Sequence, residues 1–174
     1  MKTNTELKRN LIILAIIIIG IASRFIFKIP NFTAIGAIAL FGGAYFKNKK
    51  LAFILPISIL FISDLIIGLH NTMIFVYASF VLLIFIGTYL KHNKKPIFIL
   101  GASLAGSVLF FLITNFGVWI TGMGLTPSLI GVYIDGIPFF RYTIAGDLMF
   151  NAIFFTTAYL IFERTKVLST VNDN

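Results

Sequence analysis

The chain has 174 residues, of which 59% are hydrophobic and only 11% are charged, and its mean hydropathy is +1.00. A soluble domain carries about a quarter charged residues, and one of this size cannot bury so much apolar surface. The net charge of +8 lies in clusters between apolar segments, which argues against nucleic-acid binding, and the absence of cysteine excludes disulfides and thiolate metal sites.

Six apolar segments follow one another, without the polar alternation of barrel strands. Most are near the length that crosses ~30 Å of hydrocarbon as an α-helix. We therefore predict an all-α membrane protein, a bundle of about six transmembrane helices, with spans at 11–27, 33–46, 51–69, 73–90, 97–121 and 138–162. Residues 1–174 are expected to form a single domain. The first span is expected to be uncleaved, and the tails at 1–9 and 165–174 are expected to be mobile.

The basic residues indicate the orientation of the spans. If six spans alternate, eleven of the 14 lysines and arginines fall on one side: Lys2, Lys8, Arg9, Lys47, Lys49, Lys50, Lys91, Lys94, Lys95, Arg164 and Lys166. Arg24, Lys28 and Arg141 remain for the other side. Because cytoplasmic connections are enriched in Lys and Arg, both termini are predicted to be cytoplasmic, in a multi-pass protein of the inner membrane.

The longest connection, 122–137, is predicted to be an outer loop. Within it, Thr126 and Pro127 fit the N-cap and first position of a short helix at the membrane surface or over a cavity. Small residues four apart recur in spans two and five, a spacing that lets helices approach closely: Ala39/Gly43, Gly101/Ala105 and Ala102/Gly106. They serve either packing within the bundle or docking of another membrane protein.

Polar side chains within the spans are the candidate functional residues, because an ionised group near the bilayer centre costs at least ~2.5–3.5 kcal/mol. Arg24 and Asp64 are predicted roughly 7 Å inside the outer ends of their spans, and Asp147 roughly 13 Å. The candidate substrate-binding set is Arg24, Asp64, His70, Asn71, Asn115, Trp119, Arg141, Asp147 and Asn151. These residues concentrate in the outer half, which predicts an outward-facing cup above an apolar floor, not a continuous pore.

Most members of this set also have a structural interpretation. Arg24 and Arg141 can reach the headgroups, Trp119 can belong to the aromatic belt, and the aspartates can form ion pairs or caps. No Walker A loop or His-Glu-x-x-His motif is present, and 144–147 lacks the first glycine of the Gly-x-Gly-Asp found in membrane aspartyl proteases. We therefore expect no enzyme activity, no cofactor and no metal.

Four stretches carry a resemblance to a known family: PNFTAIGAIALFGGAYF at 30–46, SDLIIGLHNTM at 63–73, TNFGVW at 114–119 and PFFRYTIAGD at 138–147. Together they resemble a functionally uncharacterised family of small bacterial membrane proteins described as transport proteins, across residues 11–162. The size and six-helix plan are also similar to the substrate-binding S components of energy-coupling-factor (ECF) transporters.

The S-component resemblance implies capture of a small vitamin-like or micronutrient molecule from the outer side. A separate transmembrane coupling protein with two ATPase subunits would drive its release inward. Arg24 and Arg141 would hold an anionic or amide-rich part of the substrate, while the aspartates orient the arginines or bind ligand donors. The alternative is a non-enzymatic scaffold in cell-envelope assembly, in which the small residues form a docking surface and the buried charges are structural.

Overall fold

The computed structural model describes residues 15–27, 29–46 and 48–163, and these residues are helical with no strand. The helices are α1 (Ala15–Ile26), α2 (Ile35–Tyr45), α3 (Lys49–Ile67), α4 (Met73–Tyr89), α5 (Pro96–Ile120) and α6 (Leu129–Ala158), followed by a π-helical turn at Tyr159–Glu163. The expectations for both tails, the uncleaved start and seven basic residues lie outside the described residues: Lys2, Lys8, Arg9, Lys28, Lys47, Arg164 and Lys166.

Three of the helices are long and apolar enough to cross a membrane. These are α3, α5 and the helical stretch Leu129–Ile161, whereas α1, α2 and α4 are shorter apolar helices in the part of the chain that the structure describes. Large apolar side chains point outward from the bundle, among them Ile66, Ile97 and Ile153. An outer surface of this kind is unfavourable in water and matches a lipid environment.

The connection predicted at 122–137 is shorter than expected, because the helix expected within it is the start of α6, which begins at Leu129 and runs for 30 residues, through Pro138. Ser128, not Thr126, is its N-cap, and its hydroxyl accepts a hydrogen bond from the Gly131 amide at 3.0 Å. Proline usually ends or bends a helix because it lacks an N–H and crowds the preceding turn. In α6 the helix continues on both sides of the proline, so the connection from α5 is short.

Helix α2 is the centre of the bundle. Residues from Ile35 to Ala44 are all buried, and α3, α4, α5 and α6 pack around them. A helix that is apolar on every side is stable only when protein or lipid surrounds it. Its 11 residues extend only about 16 Å, much less than the ~30 Å of a bilayer core.

Small residues of α2 and α4 bring these two helices into backbone contact. A Cβ atom at Gly43 would meet the carbonyl of Ile84, and one at Gly87 would meet the carbonyl of Leu40. The small residues of α2 therefore serve packing within the bundle. On α5 the small residues divide, since Gly106 is buried and Gly101 is exposed with open space beside it.

The connections define two ends of the bundle. Those between α1 and α2, α3 and α4, and α5 and α6 lie at one end, which we call the three-loop end. Those between α2 and α3 and between α4 and α5 lie at the opposite, two-loop end. Helix α1 is fixed to α2 at the three-loop end, where the Ser23 hydroxyl accepts a hydrogen bond from the Ala34 amide at 3.0 Å.

The contact between α2 and α4 makes a prediction about stability. G43A is expected to lower the free energy of unfolding by roughly 1–3 kcal/mol, because the added methyl group has to displace backbone. The matched control is G101A, where the methyl group meets nothing and alanine favours the helix by roughly 0.5–1 kcal/mol. Unfolding by sodium dodecyl sulfate in a mild detergent measures both, and equal stabilities would contradict the close approach.

Candidate functional site

A cavity of about 760 Å³ lies at the three-loop end of the bundle and is lined by residues from all six helices and the three connections there. We call it the three-loop cavity. Its walls are largely aromatic and aliphatic, with Phe80, Phe110, Phe111 and Phe139 among them. Its polar lining residues are Arg24, Asn31, Thr33, His70, Thr72, Thr114, Asn115, Asp135, Thr143 and Asp147.

The guanidinium of Arg24 enters this cavity already paired. Its Nη1 lies 2.7 Å from Asp64 Oδ1, and it also donates to the Ser63 hydroxyl at 2.7 Å. Asp64 is fully buried behind it, and its other oxygen accepts a hydrogen bond from the Tyr77 hydroxyl at 2.8 Å. Helices α1, α3 and α4 are therefore joined by one charge-neutral cluster, and Asp64 itself does not line the cavity.

Asp147 has a different environment, although it lies in the same cavity. Its Oδ2 accepts a hydrogen bond from the Ser107 hydroxyl at 2.6 Å, and its Oδ1 lies against Gly36 of α2. A side chain at position 36 would occupy the place of this carboxylate, so Gly36 makes the position possible. Among the described residues, no cation lies within ion-pair distance of Asp147, and the residue is 6% exposed.

Asn151 lies one turn further along α6 and faces a second cavity. Its amide Nδ2 donates to the Ser103 hydroxyl at 3.0 Å, while its Oδ1 is buried and has no hydrogen-bond partner in the described part of the chain. Asn151 and Ser103 line a cavity of about 770 Å³ at the two-loop end, and His92, Lys94 and Lys95 also line it. We call it the two-loop cavity. The expected apolar floor is thus reduced to a thin partition.

The other candidates are spread over the three-loop end. His70 and Asn115 line the cavity, and Asn115 is oriented by a hydrogen bond from its Nδ2 to the Phe111 carbonyl at 2.8 Å. Asn71 is exposed, and Trp119, 38% exposed, packs beside Phe116. Neither of these two lines the cavity.

Arg141 does not join the other charged residues, contrary to the expected convergence. It is exposed on α6, donates to the Tyr142 hydroxyl at 2.8 Å and stacks over that ring. The expected pair of arginines is therefore reduced to Arg24, which Asp64 already neutralises. Asn151, also in the candidate set, belongs to the opposite cavity.

Several residues of the site were missed by the sequence analysis. Asp135 lines the cavity and accepts a hydrogen bond from the Thr126 hydroxyl at 3.1 Å, because α6 extends through the predicted loop. Ser103 and Ser107 lie in the same stretch of small residues on α5, at 101–107, and were not among the candidate residues. Their four-residue spacing equals that of Asp147 and Asn151, and this was the signal available in the sequence.

The charges of the three-loop cavity limit what it can hold. Arg24 is compensated, whereas Asp135 and Asp147 have only hydroxyl partners in the described residues. No group of three or more metal-ligating side chains occurs in the described ranges. The cavity therefore offers aromatic walls, hydroxyl and amide groups, and two carboxyl groups, which suit non-covalent binding of a small organic molecule.

The cluster of Arg24 and Asp64 makes a second prediction. D64L is expected to lower the free energy of unfolding by about 3–5 kcal/mol, because Arg24 keeps a charge in a largely buried place without its partner. The double variant R24L/D64L is expected to recover much of that loss, since no unpaired charge remains. R141L is the matched control and should behave like the unchanged protein. A double variant as unstable as D64L would contradict this interpretation.

Comparison with known proteins gives a family and no activity. No curated protein sequence and no solved structure matches the chain. A family of unknown function matches residues 4–169, which is nearly the entire chain and includes both cavities and the polar groups between them. The chain therefore belongs to DUF6580, a family of unknown function.

Proposed function

We propose that this protein captures a small organic molecule in the three-loop cavity and takes part in its uptake across the inner membrane. The observation that supports this is the cavity itself, in which groups from all six helices surround about 760 Å³. Ligand sites for small molecules occupy ~300–1,000 Å³ and combine apolar walls with a few polar groups. In this proposal the chain passes six times between the two faces of the bundle, with the short α2 as a central segment surrounded by the other helices, and both termini lie in the cytoplasm.

The distribution of basic residues supports the orientation. Lys49, Lys50, Lys91, Lys94 and Lys95 all lie at the two-loop end. The positive-inside rule places that end in the cytoplasm, so the three-loop cavity faces outward. A molecule arriving from outside would then meet the cavity first.

The contacts refine the class of molecule. Arg24 is neutralised by Asp64 and Arg141 is outside the cavity, so the arginine pair expected for an anionic substrate is not available. Phenylalanine walls favour an apolar or aromatic body, and Asn115 and His70 offer hydrogen-bonding groups near the rim. These features fit a vitamin-like or micronutrient molecule with an apolar ring and polar substituents.

The energy source in this proposal is a separate partner. The sequence has no Walker A loop, so a transmembrane coupling protein with two ATPase subunits would supply ATP hydrolysis, as in S components of ECF transporters. The scaffold alternative expected the small residues to form a docking surface. Those of α2 are buried against α4 instead, and this favours capture over scaffolding.

Occupying the cavity should prevent capture. T114W places an indole in the lining, and the matched variant L112W places it on the exposed side of the same helix. After incubation with a cell metabolite extract, the unchanged protein and L112W are expected to retain a small molecule detectable by native mass spectrometry, and T114W is expected to lose it. Capture in this cavity would be refuted if T114W retained the same molecule. It would also be refuted if none of the three proteins retained a molecule.

The proposed orientation has its own test, which the cysteine-free sequence makes simple. Leu125 lies in the connection between α5 and α6 and is 93% exposed, and His92 is exposed at the opposite end. Each is replaced by cysteine in a separate variant, L125C and H92C. A membrane-impermeant maleimide is expected to label L125C in intact cells and H92C only after lysis. Labelling of H92C in intact cells would contradict the orientation.

A further inference from the structure

Two hydrogen-bonded pairs separate the three-loop cavity from the two-loop cavity. Asp147, which accepts a hydrogen bond from the buried Ser107, lines the first cavity, and Asn151 and Ser103 line the second. The members of each pair come from α6 and α5. Because the two pairs are four residues apart along both helices, one helical turn, roughly 6 Å, separates them.

This partition is thin relative to the bundle. Along α5, Ser107 lies 13 residues from Ile120 at the three-loop end, or roughly 20 Å. Ser103 lies seven residues from Pro96 at the two-loop end, or roughly 10 Å. Between the two cavities the two pairs close the α5–α6 interface, and the buried residues of α2 pack beside it.

The pair nearer the outside can accommodate a proton without losing a hydrogen bond. The Ser107 hydroxyl lies 2.6 Å from Asp147 Oδ2 and 3.1 Å from the Ser103 carbonyl. When the carboxyl is ionised, Ser107 donates to it. When the carboxyl carries a proton, it donates to Ser107 Oγ, and the serine hydrogen turns to the Ser103 carbonyl.

The pair nearer the inside holds an open acceptor. Asn151 is 3% exposed, and its Oδ1 has no partner among the described residues. A buried polar atom without a hydrogen-bond partner lowers the stability of the folded protein by about 1–3 kcal/mol. Such atoms are therefore rare in folded proteins and often have a functional role. It lies one turn beyond the carboxyl group, beside the two-loop cavity, where it can accept a hydrogen bond from a water molecule or a proton carrier.

Few other charged or titratable groups face Asp147. Helix α1 contributes Arg24, which Asp64 neutralises, and the three-loop lining adds His70 and Asp135. Along 35–44 and 96–120, helices α2 and α5 contribute no charged residue. The groups around the two-loop cavity are Tyr45, His92, Lys94, Lys95 and Tyr159.

We propose that this turn is a gate, and that a proton crosses the membrane through it on the Asp147 carboxyl group. A hydronium ion in the outer cavity gives a proton to the carboxylate: one O–H bond of the hydronium ion breaks, the O–H bond of the carboxyl group forms, and a water molecule is left. Opening of the Asn151–Ser103 pair exposes the carboxyl group to the two-loop cavity. There the O–H bond breaks, water takes the proton, and the carboxylate is regenerated. This inference goes beyond the capture function, because it needs no captured molecule.

Proton entry into liposomes tests the gate. Purified protein is reconstituted with trapped pyranine, and an inward proton gradient is imposed with potassium and valinomycin to balance charge. N151A removes the inner hydrogen-bonded pair. The interior of liposomes that contain N151A is expected to acidify several-fold faster than the interior of empty liposomes. D147N/N151A keeps the shape of the side chain at 147 but cannot carry a proton, and it is expected to return to the rate of empty liposomes.

The control is S79A, which removes a buried hydroxyl on α4 that donates to the Phe75 carbonyl, away from both pairs. S79A is expected to give the same rate of acidification as the unchanged protein. All variants are expected to elute as single peaks in size-exclusion chromatography. No acceleration by N151A would overturn the gate. Equal rates for N151A and D147N/N151A would overturn Asp147 as the carrier, and acceleration by S79A would show general leakiness instead. The T114W experiment is unaffected by any of these results.

Discussion

The short length of α2 is the constraint on which the rest of the structure depends. This central helix extends about 16 Å, while α5 and α6, which pack beside it, are 25 and 30 residues long. The longer helices continue past both of its ends. Ile35 and Gly36 at one end line the three-loop cavity, and Tyr45 at the other end lines the two-loop cavity. Both cavities follow from one helix that is too short.

The two buried carboxyl groups illustrate two ways of placing a charge in an apolar bundle. Asp64 has an arginine, a tyrosine hydroxyl and full burial, which is the arrangement of a structural ion pair. Asp147 has one serine hydroxyl, a glycine backbone and a cavity. The first arrangement joins three helices at one end of the bundle, and the second leaves a polar group available between two spaces. We therefore propose a functional role for Asp147 and a structural role for Asp64.

Much of the helical plan was predictable, because long apolar segments separated by basic clusters have few interpretations. The start of α6 was not, since Pro138 and the polar residues before it are typical of a helix boundary. Arg24, Asn115 and Asp147 were identified because polar groups in apolar segments are conspicuous. Arg141 was misplaced because it precedes Asp147 by six residues, which turns it about 120° away on the helix. Ser103 and Ser107 look like packing residues until the partner helix is known.

The proline within α6 has a consequence for movement. Because Pro138 has no amide hydrogen, the carbonyl one turn earlier has no backbone donor there, and the helix is softened at that point. Val132 and Asp135 precede Pro138 and line the three-loop cavity. Asp147 and Asn151 follow Pro138 and lie deeper in the bundle. Pro138 thus lies between the segment of α6 near the cavity entrance and the segment that carries Asp147 and Asn151. A bend at Pro138 would change the width of the cavity entrance without moving the segment that packs against α2.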